Sequence, residues 1–265
     1  MSTTKTLFIT GVSSGFGQAL AREALFAGHR VVGTVRSMAA VREFEALDPA
    51  KAHARVLDVT DTTSIDTIVA DVEATFGPVD VLVNNAALGT PGGFADVSGA
   101  ELRQVTEVNY LAPAELCRQA IPRMLRRGGG HIVNISSGAG SVVFPGLVIY
   151  SASKAALSHF TAGLRADFRG LPIRTTLVEL GPVLTEMLAH TEDYEPTAKS
   201  FERAYRLRAG VKVPRERVAE EVVKAVQKER RHVRVPKRTA LFPLIAEAPR
   251  RFTEIMLTGI PHQSK

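Results

Sequence analysis

Tryptophan is absent from this 265-residue chain, and cysteine occurs once, at Cys117. One thiol excludes an internal disulfide. The opening MSTTKTLFITG lacks a charged stretch followed by a long apolar one, so no secretory signal is expected there and the reducing cytoplasm is the expected compartment. No run approaches about 18 consecutive apolar residues, so no transmembrane helix is expected. The chain also lacks a Pro/Ser-rich linker and a repeat of fixed period. A single domain over residues 1–265 follows, long enough for a sizeable core.

The net charge of +6 is unevenly spread: residues 202–254 carry 15 Lys or Arg against 7 Asp or Glu, and the remainder is slightly acidic. Without interleaved aromatics or a nucleic-acid motif, this basic third reads as a solvated face or an anionic-ligand surface, and nucleic-acid binding is not expected.

Short β-rich runs alternate with helical patterns. TLFIT (6–10), RVVGTV (30–35), ARVLDV (54–59), VDVLVN (79–84), HIVNIS (131–136) and RTTLVEL (174–180) read as buried strands. Between them lie segments such as GQALAREALFAG, whose apolar residues recur at three- and four-residue steps. Strand and helix repeated six times predict an α/β fold, a doubly wound parallel sheet with ligands at the carboxyl ends of its strands. The triple glycine at 128–130 precedes a strand and reads as a helix-stopping turn. Residues 182–213 form the least regular region, expected to cover the site. A helix from about 214 to 228, the short strand HVRVP and an apolar tail at 240–260 follow.

The first strand ends in TGVSSGFG, where Gly11, Gly15 and Gly17 stand at the turn into a helix. Glycine permits close approach of the backbone, and a helix N-terminus favours negative charge. Ser13, Ser14 and the amides of Phe16 and Gly17 are thus placed to line a nucleotide pyrophosphate. In YSASK, Tyr150 and Lys154 share one helix face, where a phenol and an amine can exchange a proton. Such pairs also arise on ordinary solvated helices, so the rest of the chain decides.

TGVSSGFG, LDVTD at 57–61, NNAA at 84–87, Asn109, NISS at 134–137 and YSASK together resemble the single-domain short-chain dehydrogenase/reductase family over about residues 5–186. The resemblance implies a Rossmann-type fold, a nicotinamide dinucleotide and hydride transfer between an alcohol and a carbonyl. Carried over, Tyr150 is the acid or base, Lys154 lowers its pKa and holds the nicotinamide ribose, and Ser137, rather than Ser136, polarises the substrate oxygen. Asn109 would position a water linking Lys154 to solvent. Asp58 with Val59 would meet the adenine, Asn85 would wall the ribose, and Val183 and Thr185 would meet the carboxamide. Two departures stand out: Ala87 replaces the family's usual glycine, and Leu180 replaces its proline.

Val35 stands where an acid would select the free ribose of NAD, and Arg36 follows it. A guanidinium pairs with a 2′-phosphate, so NADP is expected over NAD, although Ser14 occupies the place of a second basic residue found in many relatives. No metal is called for. Val183, Leu184, Met187, Leu188, Tyr194, Phe201 and Tyr205 suggest an apolar pocket for a lipophilic carbonyl compound such as a steroid or retinoid. A 3-oxoacyl-(acyl-carrier-protein) reductase and a non-catalytic NADP sensor are the competing readings. The stripe Leu157, Phe160, Leu164 and Phe168, with the resemblance, predicts a homodimer or homotetramer. The tail is expected to fold over the pocket or a neighbouring subunit instead of lying in a membrane.

Overall fold

The computed structural model describes residues 4–142, 144–206 and 210–236, so the tail at 240–260 lies outside the described residues. In chain order, β1 (Thr6–Ile9), α1 (Gly15–Phe26), β2 (Arg30–Val35), α2 (Met38–Glu45), β3 (Ala52–Val56) and α3 (Thr62–Phe76) form the first half of the fold. Next come β4 (Val81–Asn84), α4 (Gly99–Thr106), α5 (Ala112–Arg126), β5 (Gly130–Ser137), α6 (Val148–Asp167) and β6 (Ile173–Leu180). The last described stretch holds β7 (Val183–Leu184), α7 (Glu186–Glu192), α8 (Glu195–Arg206), β8 (Val213–Pro214), α9 (Arg215–Gln227) and β9 (His232–Val235).

The principal sheet is parallel, with strand order β3-β2-β1-β4-β5-β6-β9. Its strands are apolar on both sides because helices cover both faces. Leu7, Ile9, Val31 and Val133 pack toward α1 and α9, while Phe8, Val32, Leu82 and Ile132 pack toward α3 and α5. Each such fully buried side chain contributes about 1.5–3 kcal/mol. Helix starts follow local chemistry. Ser37 accepts from the Ala40 amide, Asp61 accepts from Thr63 and Ser64, and Ser98 with Glu101 completes a reciprocal capping box. The order reverses between β1 and β4, opening a crevice above the strand ends.

The third strand spans Ala52–Val56 instead of 54–59. The Asp58 carboxylate accepts from the Thr60 amide and hydroxyl, at 2.9 and 2.8 Å, and this turn stops the strand. The triple glycine behaves as expected of a turn, with φ of 92° at Gly128 and 142° at Gly129 before β5 begins. The region expected to be irregular, 182–213, instead holds α7, α8 and the β7–β8 pair. Thr185 caps α7, and the strong amphipathic pattern of α8 buries Phe201.

Candidate active site

The carboxyl ends of the central strands open into a cavity of about 570 Å³. β1 enters it through the glycine loop, where Gly11 and Gly15 take left-handed φ values of 72° and 57°. At Gly17 any Cβ would run into the Gly11 carbonyl oxygen and the Asn85 carboxamide, so only glycine fits. Asn85 Nδ2 donates to the Thr10 and Gly11 carbonyls at 2.8 and 3.0 Å. Asn85 therefore shapes the loop from behind while also lining the cavity. Ser14 precedes α1 in an extended conformation and gives it no side-chain cap, and the first turn carries no acid. Ser13, Ser14, Gly15, Phe16 and Gly17 all border the cavity. The Phe16 ring is turned into the core, which leaves its backbone for any ligand.

Arg36, just past β2, and Asp58, just past β3, border the same end of the cavity, with Val59 beside them. The Thr60 amide and hydroxyl hold the Asp58 carboxyl below its usual range, and the Arg36 charge adds to this. At the other end stand Ser137, Tyr150, Lys154, Val183 and Thr185.

Tyr150 and Lys154 share a face of α6 as their spacing requires. Lys154 is buried, and its Nζ donates to the Ile135 carbonyl at 2.9 Å and lies 5.8 Å from the Tyr150 ring centroid. Burial pushes this ammonium down to about 8. Burial also raises the Tyr150 phenol, opposed by its hydrogen bond with the Ser137 hydroxyl. The depression of the phenol expected from Lys154 does not appear. Lys154 is withdrawn from water and spends a proton on a backbone carbonyl.

The two neighbouring serines divide the work. The Ser136 hydroxyl donates to the Lys154 carbonyl at 3.0 Å and lies 2.8 Å from Ser158 Oγ, so it pins α6 to β5. Ser137 instead faces the cavity, accepting from the Ala139 amide at 3.1 Å.

Asn109 is fully buried behind the cavity in the π-helical turn Glu107–Leu111. Its Oδ1 accepts from the Leu88 amide at 2.8 Å, while Nδ2 donates to the Leu88 carbonyl at 2.9 Å and to Ser153 Oγ at 3.0 Å. Ser153 in turn donates to the Tyr150 carbonyl at 2.7 Å. Asn109 thus braces the loop after β4 against the helix that carries Tyr150.

Ala87 and Leu180, the two departures from the family pattern, both border the cavity, and the Leu180 carbonyl accepts from Ser137 Oγ at 3.4 Å. Of the apolar residues expected to line the pocket, Val183, Met187, Leu188, Phe201 and Tyr205 do so. Leu184 faces outward and Tyr194 packs by Gly146, outside the lining. Phe144 joins the wall by packing on Phe201, with ring centroids 4.9 Å apart.

Sequence reasoning passed over Glu179. It is buried at the end of β6 and receives Arg234 Nε and His232 Nε2, both at 2.6 Å, and it borders the cavity with Arg234. Its two basic partners outweigh its burial and hold the carboxyl below its usual range. The signal was an acid inside the apolar run RTTLVEL, which demands a cationic partner.

A family model for short chain dehydrogenase matches residues 5–196, well over half of the chain. This chain belongs to the short-chain dehydrogenase family. Its members act on CH–OH and C=O groups with NAD(P). The chain is 35% identical to ketoacyl reductase HetN of Nostoc sp., covering 85% of this chain and 76% of that protein. It is 31% identical to dehydrogenase/reductase SDR family member 7B of Rattus norvegicus, covering 97% and 82%. It is 32% identical to the NADP-dependent 3-hydroxy acid dehydrogenase YdfG of Escherichia coli, covering 67% and 72%. A short-chain dehydrogenase from Streptomyces avermitilis superposes with a TM-score of 0.79 at 32% identity, covering 97% and 96%. A candidate NAD(P)-dependent gluconate 5-dehydrogenase of Beutenbergia cavernae, with NADP bound at low occupancy, gives 0.76 at 27%, covering 86% and 93%. The residues present fit the family's dinucleotide. Glycine fills the tight position at Gly17, and the uncapped start of α1 offers amides to a phosphate.

Proposed function

We propose that this dehydrogenase is an NADP(H)-dependent carbonyl reductase, interconverting a secondary alcohol and a ketone or aldehyde on a lipophilic substrate. The observation that carries the reading is Ser137 and Tyr150 together on the wall of the cavity that the glycine loop enters, with buried Lys154 Nζ 5.8 Å from the Tyr150 ring centroid. Gly11 to Gly17, Ser13 and Ser14 hold the pyrophosphate, Asp58 and Val59 the adenine, and Arg36 the 2′-phosphate. Asn85 walls the adenosine ribose, and Lys154, Val183 and Thr185 hold the nicotinamide half. When bound, the dinucleotide supplies or accepts the hydride.

Ser137 and Tyr150 donate hydrogen bonds to the substrate carbonyl oxygen. As negative charge gathers on that oxygen, the Tyr150 proton moves to it and the alcohol forms. A phenol raised by burial keeps its proton at neutral pH, which suits the reducing direction. Lys154, at about 8, is largely charged at neutral pH and stabilises the phenolate left behind. In the oxidising direction the same atoms return the proton to Tyr150.

Apolar walls from Val183, Met187, Leu188, Phe144 and Phe201 favour a bulky apolar carbonyl compound, with 182–213 as its cover. The similarity to a ketoacyl reductase supports 3-oxoacyl thioesters as a second reading. We further propose a homodimer or homotetramer in the cytoplasm. Tyr110, on the π-helical turn, with Phe160 and Leu164 of α6, lines a cleft that a second copy would fill.

Consumption of NADPH and NADH with steroid, retinoid and 3-oxoacyl substrates tests the reading. Faster turnover with NADPH and an apolar ketone is expected, and Tyr150→Phe should remove at least about 10²-fold of it while leaving cofactor binding nearly unchanged. Turnover of Tyr150→Phe within about threefold of the parent would defeat the assignment.

A further inference from the structure

The cavity mouth is crossed by α7. At its start, Glu186 Oε2 and Thr185 Cγ2 come within 3.7 and 3.9 Å of where a Cβ on Gly15 would stand. The next residue, Met187, and Thr191 a turn beyond it bring Cγ and Oγ1 to 3.5 and 3.9 Å from the equivalent point on Gly89. The strap therefore settles into room left by two glycines, one on the phosphate loop and one after β4. Glu186 borders the cavity, and its Oε1 lies 3.9 Å from Arg215 Nη1 at the start of α9.

A carboxylate thus sits beside the first residue of α1, at a helix end that attracts negative charge and has no side-chain cap. A pyrophosphate on the same loop brings further negative charge within a few ångströms of it. The two compete for one positive potential and repel each other.

We propose that Glu186 is an internal competitor for the pyrophosphate cradle and thereby sets how tightly, and for how long, the dinucleotide is held. The inference rests on the dinucleotide reading above. Glu186 assists release: its charge opposes the bound phosphates, and Arg215 draws it aside while they are present.

The test measures dissociation constants of NADPH, ADP and adenosine for the parent and for Glu186→Gln by fluorescence or calorimetric titration. The side chain is mostly exposed, so the variant retains the fold. At low salt the variant should bind NADPH and ADP about two- to tenfold more tightly. The gain should shrink as ionic strength rises, while adenosine, which has no phosphate, binds both proteins equally. Stopped-flow release of NADPH should slow by a similar factor. Unchanged or weaker binding of ADP by Glu186→Gln at low salt overturns the proposal, as does an equal gain for adenosine. A parent that binds neither NADPH nor NADH defeats the dinucleotide reading itself, a separate outcome read from the parent alone.

Discussion

The Ser136 hydroxyl lies 2.8 Å from that of Ser158, and because it donates to the Lys154 carbonyl, Ser158 must be the donor between the two. Ser136 is therefore fully occupied within the fold, while the next residue, Ser137, presents its hydroxyl to the cavity.

Substitution should separate these roles. Ser136→Ala leaves a buried Ser158 hydroxyl without its acceptor and should cost about 1–3 kcal/mol of stability. Ser137→Ala should cost little stability and about 10²-fold in kcat, because in the proposed mechanism its hydroxyl serves the reacting oxygen. Urea titrations and steady-state kinetics on both variants check this. Loss of activity without loss of stability in Ser136→Ala would reverse the assignment.

Arg36→Asp should turn cofactor preference from NADPH toward NADH. The change removes the cation that faces Asp58 at the adenosine end and adds a charge that repels a 2′-phosphate. The ratio of kcat/KM for NADPH over NADH should fall at least about tenfold, a charge-assisted hydrogen bond being worth about 1.5–3 kcal/mol. An unchanged ratio would move the phosphate contact to another residue.

Stability should fall in acid through His131. Thr176 donates to the Arg230 carbonyl at 2.6 Å, so its oxygen accepts from His131 Nε2 at 2.7 Å. That leaves Nδ1 as the unprotonated nitrogen, buried and without a partner among the described residues. Burial first, then the Lys5 charge, pushes the imidazole down to about 4 from an ordinary 6.5. Between those values the unfolded chain holds a proton that the folded chain lacks, so stability rises with pH across the window. It is complete above about 6.5 and is lost as pH falls toward 4, by about 3 kcal/mol. Urea denaturation at pH 7 and pH 4.5 should show the loss, and His131→Gln should flatten it.

The alternation of short Val- and Ile-rich runs with amphipathic segments was enough to specify a parallel doubly wound sheet, because period and length are local properties of the chain. The Tyr150 and Lys154 pairing was equally local, since four residues of α-helix bring two side chains to one face. β3 ends short of its propensity-based limit because an Asx turn at Asp58 outranks the β-propensity of the residues around it. In 182–213 the helices are local as well, carried by the amphipathic pattern of α8 among polar residues that mask it. Other relationships depended on chain segments far apart in sequence. Tertiary packing alone brought Lys154 Nζ to the Ile135 carbonyl and Asn109 to both backbone groups of Leu88. It also paired Glu179 with Arg234, and set Glu186 beside Gly15. These contacts join segments across loops and strands, and their formation depends on which faces pack together, a choice no local pattern encodes. Local chemistry therefore determined which groups could react, and packing decided how each is charged, held and screened from water.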